Sequence, residues 1–395
     1  MTDFTATRAL FDLPDGLTYL DGNSLGPMAK AVPDRVGHAI RSEWGQELIR
    51  AWNSAGWMEM PDRLGDRIAP LIGAAPGTVS TGDTLSIKVH QALSAALSLT
   101  DRKVILSDTG NFPTDLYIAQ GIVDALDRGL ELRCVAPEEI EAHMTDEIAV
   151  LMLTEVDYRT GRRHDMAHLS RIAREQGIVT LWDLAHSAGA FPVDSAAHAD
   201  FAVGCTYKYL NSGPGGPAFI AVPDAVADRI DPALPGWLGH AAPFDFDRDY
   251  RPAQAARRFR IGTPPILQMA ALDAALDAWD GVSMQDVRSR SLALSQRLIA
   301  GVEADCPSLT LASPREDAHR GSQVSFRHPQ AYAICQALIA HDVIGDFRAP
   351  DILRFGITPL YIGEAEIDAA IATMARIMQD RLYEDPRFQT RQAVT

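Results

Sequence analysis

Lysine is nearly missing from this chain. Its 395 residues include Lys30, Lys88, Lys103 and Lys208 and no other lysine, although lysine and arginine together number 36. Arginine carries almost all the positive charge, so chemistry that needs a primary amine has four candidates. Cysteine is equally sparse. Cys134, Cys205, Cys306 and Cys335 are widely spaced and form no Cys-x-x-Cys pair. That pattern speaks against a disulfide scaffold or a cysteine zinc site and predicts a reduced, cytoplasmic protein. No apolar run approaches the roughly 20 residues of a membrane-spanning helix. The N-terminus lacks a basic start followed by an apolar core, so no export signal is expected. Basic residues are outnumbered by 52 acidic ones, for a net charge of -16. Neither nucleic acid nor an anionic membrane is therefore expected as a partner. A small anionic ligand needs only a local site and stays open.

What is present is ordinary for a folded protein with a sizeable core: 47% hydrophobic and 22% charged residues. The length suggests two or three structural units. Short apolar runs at Val104–Leu106, Ala149–Leu153, Val179–Trp182, Phe201–Gly204 and Ala218–Val222 read as strands. Helical patterns lie between several of them, as at Asp115–Asp127 and Met166–Gln176. Continuous apolar strands separated by helices predict an α/β fold with a mostly parallel sheet covered on both faces. The last third changes character. Long helices at Ile266–Trp279 and Val287–Val302 precede strands at Gln323–Phe326 and Leu353–Ile357 and helices at Ala331–His341 and Glu364–Leu382. This order predicts a smaller α+β domain. The expected division is residues 1–45 as a segment packing with the small domain or a partner subunit, 46–265 as the large domain and 266–395 as the small one.

Asp183, in Leu181-Trp182-Asp183-Leu184-Ala185-His186, stands at the C-terminal end of a buried strand, where open α/β sheets place their ligands. Taken alone it reads equally well as a helix N-cap, and His186 alone reads as a structural histidine. Lys208 follows another apolar strand and precedes the glycine-rich Asn211-Ser212-Gly213-Pro214-Gly215-Gly216. Its apolar and aromatic flanks make a solvated surface role a poor fit, and an amine held there can serve as a nucleophile toward carbonyls. A strand-end carboxylate and an amine 25 residues apart suit pyridoxal 5'-phosphate (PLP). The amine bonds the cofactor, and the carboxylate keeps its pyridine nitrogen protonated. The phosphate needs a helix N-terminus with small hydroxyl residues. Thr81-Gly82-Asp83-Thr84-Leu85-Ser86 supplies one, though an unliganded hydroxyl cap is the commoner use of such a motif. Lys88 reads as accessory. Phe112, in Asn111-Phe112-Pro113-Thr114-Asp115, either covers a ring face or is plain core.

The order of phosphate turn, aromatic, strand-end Asp and Lys resembles the fold-type-I PLP enzymes, the aspartate-aminotransferase-like superfamily. Tyr19-Leu20-Asp21-Gly22-Asn23-Ser24-Leu25-Gly26, Asn111-Phe112-Pro113-Thr114-Asp115, Trp182-Asp183-Leu184-Ala185-His186, Tyr207-Lys208-Tyr209-Leu210-Asn211 and Gly236-Trp237-Leu238-Gly239-His240 together resemble the kynureninase family. The bacterial form looks closest, through Trp52-Asn53-Ser54-Ala55-Gly56-Trp57. The likeness is collinear from about residue 17 onward.

The resemblance implies that Lys208 carries PLP and acts as base, that Asp183 pairs with the pyridine nitrogen, and that His186, Asp115 and Thr154 lie beside the cofactor. It implies phosphate binding by Leu85 and Ser86, with Tyr207 helping and relaying a proton. It departs at Leu85, where many bacterial relatives carry a hydroxyl; a backbone donor survives that change. Trp237 and Thr263 match positions that reach the neighbouring subunit's cofactor, which implies a homodimer with shared sites. Arg354 matches the residue for the substrate α-carboxylate, with a structural ion pair as the competing reading. Trp52 matches a substrate-stacking position, and His38 reads as structural. The implied reaction is hydrolysis of L-kynurenine, or of its 3-hydroxy form, to anthranilate or 3-hydroxyanthranilate and L-alanine. It would serve tryptophan breakdown or NAD biosynthesis. A cysteine desulfurase or aminotransferase of the same superfamily is the alternative, although none of the four cysteines looks like a nucleophile on a mobile loop.

Overall fold

The computed structural model describes residues 1–391. The N-terminal segment carries a two-residue strand, β1 (Thr18–Tyr19). A central sheet follows, formed by β2 (Val79–Thr81), β3 (Val104–Asp108), β4 (Glu131–Val135), β5 (Ile148–Thr154), β6 (Val179–Asp183), β7 (Phe201–Gly204) and β8 (Phe219–Ala221). Beyond helices Ile266–Leu276 and Met284–Asp305 come β9 (Thr310–Leu311), β10 (Gln323–Arg327), β11 (Val343–Ile344), β12 (Asp346–Arg348) and β13 (Ile352–Gly356), then helix Glu364–Gln379.

The central sheet has the order β2-β8-β7-β6-β5-β3-β4. Neighbours from β7 to β4 run parallel, and β8 is antiparallel to both β7 and β2. This is the mostly parallel sheet that the apolar runs predict. Residues of β3, β5 and β7 are buried throughout, because side chains alternate across a strand and both faces are covered. Ile105, Val150, Leu181 and Val203 enter one core with helix Leu85–Ser98. Their neighbours Leu106, Leu151, Trp182 and Ala202 enter the core on the other face. Each large aliphatic side chain so buried contributes about 1.5–3 kcal/mol. Gly204 has no room for a side chain: a Cβ there would lie 2.3 Å from the Phe219 ring.

A second sheet has the antiparallel order β12-β13-β10-β9. The N-terminal segment is tied to this region. β1 pairs in parallel with β11. Leu20 N–H donates to Ile344 O, and Gly356 N–H to Leu20 O, both at 2.7 Å. The segment then crosses to the central sheet, where Gly26 N–H donates to Tyr207 O at 2.8 Å. A Cβ on Gly26 would sit 2.2 Å from Lys208 O, so only glycine allows this approach. Helix Ile266–Leu276 packs on helices Val32–His38 and Met60–Ile68. No helix among the described residues is long and apolar enough to cross a membrane.

Candidate active site

The C-terminal ends of β5, β6 and β7 lie side by side, with Thr154 registered opposite Asp183. This edge gathers the polar side chains of the centre. Asp183 ends β6 and is buried; its Oδ1 accepts Ala185 N–H at 2.8 Å and its Oδ2 accepts the Thr154 hydroxyl at 3.4 Å. Asp115, in the first turn of helix Pro113–Leu126, is also buried. Burial raises the proton affinity of both carboxyls. Asp183 pushes Asp115 up further, while Lys208 draws Asp183 back down. The pair therefore favours a shared proton or a nearby cation, since two buried like charges do not both ionise cheaply.

Lys208 stands in the turn after β7. Its Nζ lies 2.9 Å from His186 Nε2, 5.9 Å from the centroid of the Phe112 ring and 5.8 Å from that of Tyr207. Burial first, and Lys208 second, depress the proton affinity of His186 far below that of a free imidazole. The ring is thus neutral and accepts at Nε2. Its Nδ1 is buried with no partner among the described residues. Tyr207 is held as a phenol, chiefly by the adjacent Cys205 thiol and then by burial.

Asn111 organises the surroundings. It takes the Thr154 hydroxyl on Oδ1, accepts Phe112 N–H on the same atom and donates to Ser107 Oγ. Phe112 is partly exposed and meets Tyr158 edge-on at 5.2 Å. Leu85 and Ser86 open helix Leu85–Ser98. Thr84 caps that helix in extended geometry but makes no side-chain hydrogen bond to it, so its first N–H groups lack that internal acceptor.

Arg354 is buried on β13. It pairs with Asp346 through Nε at 2.7 Å and through Nη2, and also donates to Ser24 Oγ at 2.7 Å and Tyr158 O at 2.5 Å. The sequence leaves Arg354 between a substrate contact and a structural ion pair, and the structure does show an ion pair. Trp52 lies edge-on to Trp57 at 5.8 Å. His38 is exposed, 3.7 Å from Glu43. Trp237 and Thr263 are exposed neighbours, linked through Leu238 N–H and Ile261 O. Among the described residues, no hydrogen bond, ion pair or ring contact joins Trp52, Trp237 or Thr263 to Lys208, Asp183 or His186.

Sequence reading missed Asn111 as an organiser, and also Ser24, Asp346 and Arg348. Strand alternation was the available signal for Asp346. It faces Arg354 across the β12–β13 pair, but three residues are too few for β12 to show a period.

A family profile described as Kynureninase C-terminal domain matches residues 287–374. A curated kynureninase from Deinococcus radiodurans is 49% identical over 381 residues, covering 94% of this chain and 93% of that protein. One from Burkholderia pseudomallei is 48% identical over 397 residues, covering 98% of this chain and 95% of that protein. The chain belongs to the kynureninase family. Solved structures carry the same fold. A cysteine desulfurase from Thermococcus onnurineus aligns with TM-score 0.82 at 18% identity, covering 96% of this chain and 99% of that one. The cystine C-S lyase C-DES, in a mutant with glycine covalently linked to the PLP cofactor, aligns with TM-score 0.80 at 20% identity, covering 95% of this chain and 99% of that one. This member of the kynureninase family thus has the fold-type-I architecture of PLP enzymes. Its desulfurase likeness is one of fold. Of its thiols, Cys205, Cys306 and Cys335 are buried, and exposed Cys134 lies on edge strand β4.

Proposed function

We propose that this chain is a PLP-dependent hydrolase that cleaves L-kynurenine to anthranilate and L-alanine. The observation that carries the reading is the meeting of Lys208, neutral His186 and the Asp115–Asp183 pair at the strand ends, in a chain of this family. The residues fit the cofactor. Two buried carboxyls await a cation such as a protonated pyridine nitrogen, and a helix N-terminus with Ser86 suits a phosphate. Lys208 would hold the cofactor's aldehyde carbon, Asp183 its ring nitrogen, Phe112 a ring face, and Leu85, Ser86 and Tyr207 its phosphate, with Asp115, Thr154 and His186 around it. Bound PLP supplies an electron sink for negative charge developing at the substrate α-carbon.

A water molecule supplies the oxygen that anthranilate gains, and the protein's own groups position the substrate and move its protons. With the substrate's amino group in its place on the cofactor, Lys208 Nζ would be free to take the α-proton and return it, since its direct hydrogen-bond partner among the described residues is an imidazole that stays neutral. Tyr207, held as a phenol, donates a proton near the phosphate. Arg354 orients the α-carboxylate, and Trp52 stacks on the aromatic ring of the substrate.

We also infer a cytoplasmic homodimer with shared sites. Trp237 is 40% exposed, Phe244 61% and Phe246 77%, an apolar cluster of edge-to-face rings of the kind that marks a protein interface. Trp237 and Thr263 would serve the partner's cofactor. The division at residues 45 and 265 is proposed with it. The experiment is incubation with L-kynurenine and PLP, following anthranilate fluorescence and alanine. Production of both supports the assignment. Conversion of the cofactor to its amine form, with demand for a keto acid, overturns it in favour of an aminotransferase.

A further inference from the structure

We propose that Arg348 is a second guanidinium of the substrate-carboxylate site, and that its open donors, beside an Arg354 with one N–H left uncommitted, select for a free α-carboxylate. The inference deepens the function proposed above and rests on it.

Strand geometry places the two arginines together. Asp346 and Arg348 are two residues apart on β12 and so share a face. Asp346 is registered opposite Arg354 on β13. Asp346 bridges both: Arg348 Nη2 lies 2.8 Å from its Oδ2, the oxygen that Arg354 Nη2 also meets. Ser24 Oγ joins the same cluster, 2.7 Å from Arg354 Nη2 and 3.3 Å from Arg348 Nη2.

Donor accounting separates their roles. A guanidinium has five N–H groups. Arg354 commits two to Asp346, one to Ser24 and one to the Tyr158 carbonyl. A single N–H remains, and a bidentate grip on a carboxylate needs two. The side chain of Arg354 is 1% exposed and that of Arg348 32%. Arg348 donates through Nη1 to Phe347 O at 3.0 Å. Its Nε has no hydrogen-bond partner among the described residues.

The charge balance also leaves room for an anion. Asp21, in the same cluster, is pushed up to about 7 by burial and by Asp346, and its Oδ1 is buried without a partner. Against its own burial, Asp346 is held below its ordinary range by Arg354. Near neutral pH the two guanidiniums thus face one full carboxylate and one partly protonated acid. Both arginines also depress His186, the neighbour of Lys208, so their field reaches the reacting end of the site.

The test compares Arg348→Met and Arg348→Lys with the parent holoenzyme on L-kynurenine and on L-kynurenine methyl ester, which lacks the anionic carboxyl. PLP absorbance checks loading. Arg348→Met is expected to lose about 10- to 100-fold in kcat/KM on kynurenine, mainly through KM, the worth of a charged hydrogen bond. The ester should change by less than about threefold on the same scale, and Arg348→Lys should recover part of the loss. The same contrast is read at equilibrium as the Kd for L-alanine against L-alanine methyl ester. Equal losses on acid and ester, or no loss on the acid, overturn the proposal. A parent enzyme that binds alanine with this contrast but does not cleave kynurenine overturns the function and leaves the arginine assignment standing.

Discussion

Lys208 Nζ and His186 Nε2 are 2.9 Å apart, and the amine donates to an imidazole that burial keeps neutral. A charged histidine there would repel the amine. A neutral one steers it without holding it as an ion pair would. The lysine is thereby oriented yet free to exchange a proton, which the proposed chemistry requires of it.

Lys208→Ala should abolish turnover, by about 10³-fold or more given what a positioned base contributes. Borohydride reduction of the parent protein with PLP should place the added mass on the peptide carrying residue 208. Full turnover in the variant would contradict the assignment.

Asp183→Asn should keep the fold, because the amide oxygen can still accept Ala185 N–H while the amide NH2 donates to the Thr154 hydroxyl oxygen. Turnover should fall by about 10²-fold or more, the usual loss when a fixed electrostatic partner is removed. The cofactor absorbance should shift with it, while Asp115→Asn should cost less.

Ser86→Ala removes one hydroxyl donor at the start of helix Leu85–Ser98. Cofactor affinity should fall roughly tenfold, the worth of one hydrogen bond to a charged group. Equilibrium dialysis of PLP reads this directly, and kcat at saturating PLP should hardly move.

Asp21 has its proton affinity raised by burial and by Asp346, to about 7 against an ordinary 3.8. A carboxyl raised in the folded state stabilises the fold below its unfolded value and loses that contribution as pH rises. Stability should therefore decline from about pH 4 to pH 7 through this group. Asp21→Asn should flatten that decline, which denaturant titrations at several pH values would show.

Gly26→Ala puts a Cβ 2.2 Å from Lys208 O. Overpacking of this kind costs about 1–3 kcal/mol. The expected result is a lower Tm together with weaker cofactor retention, because the displaced backbone belongs to the residue that bears the amine.

Much of the fold was legible because β3, β5, β6 and β7 are buried on both faces and read as unbroken apolar runs. Helix Met166–Gln176 was bounded by Asp165 as cap and Gly177 in left-handed geometry. Other elements left weaker traces. β2 has three residues. β4 is a half-exposed edge strand carrying Glu131 and Arg133, so it lacks an apolar signature. In the site, Asp183 and Lys208 stand at strand ends, a place sequence can locate. The Asp346–Arg354 pairing depends on the register of two short strands. The Asp115–Asp183 encounter joins different elements, and no local pattern encodes it.

The residues that pin the lysine turn come from opposite ends of the chain. Gly26 meets Tyr207 six residues beyond Leu20, which is stitched between Ile344 and Gly356. During synthesis, the centre therefore stays unfinished until nearly the whole polypeptide has left the ribosome. A fragment ending before residue 340 would hold every strand of the large sheet and still leave its amine loosely aimed.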